Sequence, residues 1–389
     1  MLELGKHFTT WEPAQCGEEL VVATIVAARG SAPRPTGTSM LVSADGRILG
    51  SLSGGCVEGA VVAAAQDILA GGGERRERFG FSAEDAFAVG LSCGGELDVH
   101  LSRLDLGARA ALSAEPVALL RRLNTGTTTT AAAPTLAVPA AAVVRELPRG
   151  AWTTLLGLDA EPALVQDEVL ERAHTQVESL LRQGLSGLVR VAPPQGCWAG
   201  EREAEPVELF VESRLPAPRA VVVGANDFSE TLIPVLKLLG FHLTLCDARP
   251  SFIAQERFAA ADSLERSWPH RYLRDQADRG LLDERSILCV LSHDPKFDIP
   301  LLTTGLRLDL AYVGALGSRR SDRQRRAALL EQGLEPGLLD RLHSPIGLDL
   351  GAVTPGEVAV AVAAELVATL RGGTRSPTPL SRGTGPIHH

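Results

Sequence analysis

Lysine is nearly missing from this chain: only Lys6, Lys237 and Lys296 stand among 38 basic residues. The skew toward arginine most simply reflects a GC-rich genome, so arginine counts alone carry little functional weight. Basic residues are also outnumbered by 47 acidic ones, which leaves a formal net charge of −9. That balance offers no electrostatic pull toward nucleic acid or an anionic membrane face. No apolar run is long enough to span a bilayer, and the opening MLELGKHFTTWEP lacks the charged-then-apolar order of a signal peptide. The expectation is a cytoplasmic protein without membrane insertion. Six cysteines (Cys16, Cys56, Cys93, Cys197, Cys246, Cys289) lie far apart, with no Cys-x-x-Cys pair and no His at zinc spacing. A disulfide scaffold and a structural zinc site are thereby excluded, and reduced thiols are expected. What remains is 389 residues, 45% hydrophobic and 22% charged, the composition of a soluble globular protein with two or three domains.

Three segments and a tail differ in texture. Residues 1–105 read as a small α+β domain. Val21 to Val26 is a buried β-branched strand, Arg29 to Gly37 a stiff Pro- and Gly-containing loop, and Ser39–Ser43 and Arg47–Leu52 a hairpin across Asp45-Gly46. An alanine-rich helix, Ala60 to Leu69, and a short strand, Leu97 to Leu101, follow. Residues 106–216 carry helical spacing over Asp167–Leu181, a strand-like Leu209-Phe-Val211 and a low-complexity patch at Thr127–Thr130. They are expected to pack with the first segment, and no chemistry is assigned to them. Over 217–372, strands (Ala220–Val223, His242–Cys246, Ile287–Leu291, Ala311–Val313) alternate with helices at 229–239, 319–332 and 355–370. Such alternation predicts an α/β domain with a doubly wound parallel sheet. The last helix has a capping box, Thr354 with Glu357, and a body apolar on nearly every face, predicting burial on the sheet or in a subunit contact. The tail, 373–389, is expected to be disordered.

Four motifs could carry chemistry. Val221-Val-Val-Gly-Ala-Asn-Asp-Phe-Ser229 has the strand, glycine turn and helix start of a dinucleotide fold, and Asp247 ends the next strand where a ribose-binding acid would sit. The glycine that would let backbone approach a pyrophosphate is, however, Asn226. NAD(P) binding is therefore disfavoured against a doubly wound domain kept for its shape. Gly317 and Ser318 open a helix whose first turns hold Arg319, Arg320 and Arg323. Cations there oppose the helix dipole unless an anion neutralises them, which favours an anion site over a solvated basic face. Gly54-Gly-Cys-Val-Glu58 joins a glycine loop, a helix start and a thiol; Cys56 reads as a contact to metal or sulfur, as a nucleophile, or as a small core residue. Cys93, again beside paired glycines, could bring a second thiol there. His293 and Asp294 leave the end of a buried strand, and on the sheet's C-terminal rim they join Asn226, Asp247 and Ser318.

Taken together, Gly30-Ser-Ala-Pro-Arg34, Gly54-Gly-Cys-Val-Glu58, Cys93-Gly-Gly95, Asp247-Ala-Arg-Pro250, Ser292-His-Asp294, Tyr312 to Arg320, Pro345 to Gly351 and Thr354-Pro-Gly-Glu357 resemble the xanthine dehydrogenase accessory family, XdhC/CoxI-like. The resemblance implies a small N-terminal domain and a Rossmann-like C-terminal domain, commonly dimeric. It implies a protein that binds the molybdenum cofactor (molybdopterin), holds it during sulfuration and delivers it to an apo molybdenum hydroxylase of the xanthine or carbon monoxide dehydrogenase type. A cysteine desulfurase is a further implied partner, and the role is that of a maturation chaperone more than a catalyst. Carried onto this chain, the cofactor-binding residues are Arg34, Gly54, Gly55, Cys56, Glu58, Cys93, Asn226, Asp247, His293, Asp294, Gly317, Ser318, Arg319 and Arg320, with Cys56 facing molybdenum or its sulfido ligand. One departure stands out: the family's first turn usually reads Gly-Ala-Gly-His, and here it is Gly224-Ala-Asn-Asp227. The alternative reading is an NAD(P)-dependent oxidoreductase using His293 as acid/base and Asp247 on the ribose.

Overall fold

The computed structural model describes residues 1–80, 95–113, 117–123, 135–139, 147–159, 162–191 and 206–371. Cys93, Thr127–Thr130 and the tail beyond 372 lie outside the described residues. The chain divides into two compact units, the first running from Met1 to Pro216 and the second beginning at Ala217.

The first unit is built on two antiparallel sheets. One has the order β3-β2-β1-β5-β4, from β1 (Leu20–Arg29), β2 (Ser39–Ser43), β3 (Ile48–Gly50), β4 (Arg75–Phe79) and β5 (Glu96–Arg103). The other has the order β7-β6-β9-β8, from β6 (Val117–Leu123), β7 (Thr135–Pro139), β8 (Gly187–Val191) and β9 (Val207–Ser213). Alternation explains the unbroken apolar run of β1. Val21, Ala23 and Ile25 pack under the helix Glu58–Leu69 with Val61, Ala65 and Ile68. Leu20 and Val22 point the other way, to Met1, Leu2 and Leu119 of the second sheet, and Val26 meets Leu123 and Phe210. The second sheet's outer face is covered by the helices Arg149–Leu156 and Ala163–Gln183 through Trp152, Leu155, Ala173 and Val177.

The second unit is a six-stranded parallel sheet of order β12-β11-β10-β13-β14-β15. Its strands are β10 (Arg219–Val223), β11 (His242–Cys246), β12 (Ser263–Glu265), β13 (Ile287–Val290), β14 (Tyr312–Ala315) and β15 (Leu342–His343). This is the Rossmann order, and the α/β class expected from the sequence holds. Ala220 and Val222 face the helices Asp227–Leu238 and Pro355–Leu370, while Val221 and Val223 face Leu273, Leu301 and Leu329 from three helices on the opposite side. The expected cap on Pro355–Leu370 is present, Thr354 and Glu357 each receiving the other's backbone N–H. The expected burial against the sheet is seen on one face, where Ala359, Val362 and Leu366 sit in the core, while Val360, Val367 and Leu370 are exposed. The helix covers one face of the sheet and leaves its own outer side uncovered by the described residues of its unit. Among the described residues no helix is long and apolar enough to cross a membrane.

Candidate functional site

A cleft of about 290 Å³ opens at the C-terminal ends of β10, β11 and β13, where the strand order reverses direction. Its walls include Asn226, Asp247, Arg249, Phe252, His293, Asp294 and Phe297. The backbone makes this position available at Gly224. There φ is +102°, and a Cβ would come within 2.7 Å of the Ser292 nitrogen, so only glycine lets the β10 and β13 turns approach.

Asn226 caps the helix that follows. Its Oδ1 accepts from the N–H groups of Phe228 (3.0 Å) and Ser229 (3.1 Å), and its Nδ2 donates to the Leu291 carbonyl at 2.9 Å. The helix N-terminus that holds pyrophosphate in a dinucleotide site is thus already satisfied by a side chain. Asp227 and Glu230 add negative charge in its first turn, both held by Arg257. Asp247 is equally occupied. It is 4% exposed, and its carboxylate accepts from the Ala225 N–H (2.8 Å) and the Arg249 N–H (2.9 Å) and guanidinium (2.7 and 3.0 Å). Burial opposes its charge, but the Arg249 guanidinium and these N–H groups hold its pKa below the ordinary carboxylate value. Asp247 therefore orients Arg249, whose guanidinium lies 3.9 Å from the centre of the Phe252 ring. Phe297 forms the facing aromatic element, itself backed by Trp268 at 5.0 Å.

The β13 turn supplies the polar end. His293 and Asp294 are exposed, and Asp294 caps the helix Pro295–Gly305 through the Lys296 N–H at 3.0 Å. Beneath them the Ser292 hydroxyl donates to Asp298, a carboxyl that burial pushes above its ordinary pKa despite that hydrogen bond and nearby Arg325. The cleft therefore offers a guanidinium on an aromatic ring, a second aromatic ring, an imidazole and a carboxylate around a largely apolar hollow. That is the composition of a small-molecule site.

Of the residues singled out from the sequence, Asn226, Asp247, His293 and Asp294 are brought together here. Gly317, Ser318, Arg319 and Arg320 follow β14 on the same edge of the sheet but do not line the cleft. Ser318 does cap its helix, accepting from the Ser321 N–H at 3.1 Å, while Arg319 is 83% exposed with Asp349 at 3.5 Å. Further along, Arg325 and Arg326 brace the fold through the Leu316, Leu339 and Leu342 carbonyls. Arg249, Phe252 and Phe297 were missed. For Arg249 the signal was available: it stands two residues after an acid at a strand end, within hydrogen-bond reach of its own neighbour.

Arg34, Gly54, Gly55, Cys56 and Glu58 lie in the first unit. Gly54 and Gly55 take φ of +82° and +125°, and the loop they form wraps around the Glu58 carboxylate. That carboxylate accepts from the N–H groups of Leu52, Ser53, Gly54, Gly55 and Val57 at 2.8–3.2 Å and from the hydroxyls of Ser51 and Ser53 at 2.7 and 2.6 Å. Burial opposes its ionisation, but the Ser53 and Ser51 hydroxyls and the loop N–H groups hold its pKa far below the carboxylate range. Glu58 is the loop's internal anion, and it presents Cys56 as an exposed thiol two residues before the helix. Arg34 is exposed on the loop whose Ala32 backbone presses against Gly95, where a Cβ would come within 2.6 Å. Among the described residues no group of three or more His, Cys, Asp and Glu is placed to hold a metal ion.

Fold and cleft define a two-unit protein whose C-terminal unit is a Rossmann-type domain with the dinucleotide phosphate position closed. Residues 14–80 match the XdhC and CoxI family, and residues 220–366 match the XdhC Rossmann domain. With both matches in the order its motifs implied, the chain belongs to the XdhC/CoxI family. A protein of Bacillus subtilis (strain 168) described as a probable xanthine dehydrogenase subunit is 27% identical over 366 residues, covering 90% of this chain and 93% of that protein. The molybdenum cofactor insertion chaperone PaoD of Escherichia coli (strain K12) is 38% identical over 114 residues, 29% of this chain and 33% of PaoD. A Bacillus halodurans xanthine dehydrogenase crystal structure aligns with a TM-score of 0.60 at 23% identity, over 98% of both chains, and shows a shared fold.

Proposed function

We propose that this protein is a molybdenum cofactor maturation factor that holds the cofactor as cargo during sulfuration and delivers it to an apo molybdenum hydroxylase. The observation that carries the reading is the switch-point cleft. It keeps the ligand-binding position of a Rossmann sheet while Asn226 occupies the N–H groups a dinucleotide would need. The cargo's pterin is a flat heterocycle with a hydrogen-bonding edge, which suits the Phe252 and Phe297 rings with Arg249, His293 and Asp294 at the polar end. Its phosphate is assigned to Arg249 within the cleft or to Ser318, Arg319 and Arg320 further along the sheet's edge. In the first unit, Cys56, held outward by the Glu58 loop, and Cys93 are the residues proposed to handle the incoming sulfur. The likeness to a named insertion chaperone supports the same reading.

The nicotinamide alternative has less behind it: the helix N–H groups a pyrophosphate would need are taken by Asn226, and the Asp247 it would set on the ribose is held by Arg249.

Purification from a molybdenum-replete host lacking any client enzyme tests the proposal, with molybdenum read by elemental mass spectrometry and pterin by the fluorescence of its oxidised form. Near-stoichiometric amounts of both are expected. His293→Ala, at an exposed position that the fold does not need, should weaken cofactor binding by roughly 2- to 10-fold, the loss of one hydrogen bond to the pterin edge. Cys56→Ala should keep binding and lose sulfuration. Absence of both molybdenum and pterin, with no uptake of added free cofactor, would sink the carrier role; full sulfuration by Cys56→Ala would remove the thiol from it.

A further inference from the structure

A second cavity, of about 390 Å³, lies wholly within the first unit and is lined by Arg29, Arg76, Arg78, Arg190, Asp98 and Leu188, among others. Its arginines come from three strands of two different sheets: Arg29 ends β1, Arg76 and Arg78 share one face of β4, and Arg190 lies on β8. Strand register brings them together. Arg78 stands opposite Asp98 on β5, which in turn stands opposite Ala27 on β1.

The acids around this cavity are largely spent on one arginine. Asp98 accepts from Arg76 Nε at 2.6 Å, and the buried Glu208 accepts from Arg76 Nη1 at 2.6 Å. Arg76 is thus fixed on both sides, a rigid fork in the wall of the cavity. The other Glu208 oxygen takes only Arg190 Nε, at 2.7 Å. Four guanidinium groups therefore converge, with Arg29 held only by a 3.9 Å pair to the exposed Glu96 and Arg78 by no carboxylate among the described residues, so an entering anion would relieve their mutual repulsion. The volume falls in the ~300–1,000 Å³ range of small-molecule sites. Planar guanidinium forks are the side chains that grip phosphate oxygens in pairs. Among the described residues no aromatic ring lines the cavity, so it is built for charge and not for stacking a base.

We propose that this cavity binds the phosphate groups of a small molecule, with Arg78 and Arg29 as the ligating arginines and Arg76 as the fixed member of the set. It stands in a different unit from the cleft assigned to the cofactor, uses none of that cleft's residues and does not depend on that assignment.

Isothermal titration of the full-length protein with inorganic pyrophosphate and with ADP, at one fixed low ionic strength, tests this. Saturable binding of one equivalent of pyrophosphate is expected. It should weaken by about 10-fold or more in Arg78→Gln and in Arg29→Gln, exposed positions whose replacement leaves the strands intact, and stay unchanged in Arg279→Gln on the second unit. Tighter binding of ADP than of pyrophosphate would identify a nucleotide as the source of the phosphates; equal affinity would identify a bare diphosphate group. Absence of saturable binding at millimolar pyrophosphate overturns the proposal. So does affinity that Arg78→Gln and Arg29→Gln leave unaltered, or that sulfate reproduces equally.

Discussion

Glu58 shows how much of a site can be hidden in one side chain. The family resemblance carries it over as a cofactor-binding residue. In the structure it replaces the anion that a glycine-rich loop would otherwise collect from solvent. Glu58→Gln keeps the shape but presents an NH₂ to donors, so Cys56 should lose its fixed presentation along with ~1–3 kcal/mol of stability. Because the folded-state pKa is depressed, the stabilisation is complete above the unfolded value near ~4.3 and is lost as pH falls below it toward the folded one. Urea denaturation of wild type and Glu58→Gln from pH 7 to pH 3 checks the sign: the two stabilities should converge on acidification. A gap that stays constant would mean the carboxylate charge is not what holds the loop. Asp247 works in the same manner inside the cleft, spending its charge on Arg249 and not on a ligand.

At the scale of elements, legibility followed burial. β2 and β11 run over the residues expected, Ser39–Ser43 and His242–Cys246, because both are flanked by turn residues and filled with apolar side chains. β4 went unread: Arg75-Arg-Glu-Arg-Phe79 has no apolar stripe, since the partner of its outward face is a polar cavity and not a core. The helix Pro295–Gly305 was concealed by two prolines, one in its first turn and one within it. The same logic divides the site. Asn226, Asp247, His293 and Asp294 could be placed because each follows a strand end in a sheet of known hand. Phe252 and Phe297 could not, because loop and helix geometry decides where they point. Asn226 itself was read as an obstruction; its role as a cap and as a tie from β10 to β13 through Leu291 emerges only in three dimensions. Asn226→Ala should therefore cost ~1–2 kcal/mol, the usual value of a cap, in a chemical denaturation experiment. Asn226→Gly, which restores the glycine, should cost less and still fail to bind NAD(H), because Asp227, Glu230 and the Asp247–Arg249 pair remain. NAD(H) binding by that variant at micromolar concentration would show that the cap alone had closed the site.

At the scale of the molecule, an acidic chain folds its first unit around buried cations. The Met1 ammonium is fully buried, paired with Glu212 and hydrogen-bonded to the Gly37 carbonyl at 3.1 Å. Arg121, 4% exposed, donates to the other Glu212 oxygen at 3.0 Å and to Thr24 Oγ1 at 2.9 Å, and Thr24 meets Ser39 at 2.9 Å. This network crosses from β1 and β2 to β6 and β9, so it is the polar seam by which the two sheets of the unit are matched. Burial disfavours the Glu212 charge, but the Met1 ammonium and Arg121 together hold its pKa below the ordinary value. Removing the carboxylate alone leaves two cations without an anion in a dry layer, which costs ~3–5 kcal/mol. Glu212→Gln should therefore be among the most destabilising single substitutions in the chain. Arg121→Met should be costly too, and the double variant Glu212→Gln/Arg121→Met less so than the sum of the two, since it removes one stranded charge. Hydrogen exchange read by mass spectrometry locates the effect: protection should fall in β1, β2, β6 and β9 and persist in β10, β11 and β13. A Glu212→Gln variant within ~0.5 kcal/mol of wild type, the scatter of ordinary surface substitutions, would mean that apolar packing around Met1 and Phe210 matches the sheets without help from the seam.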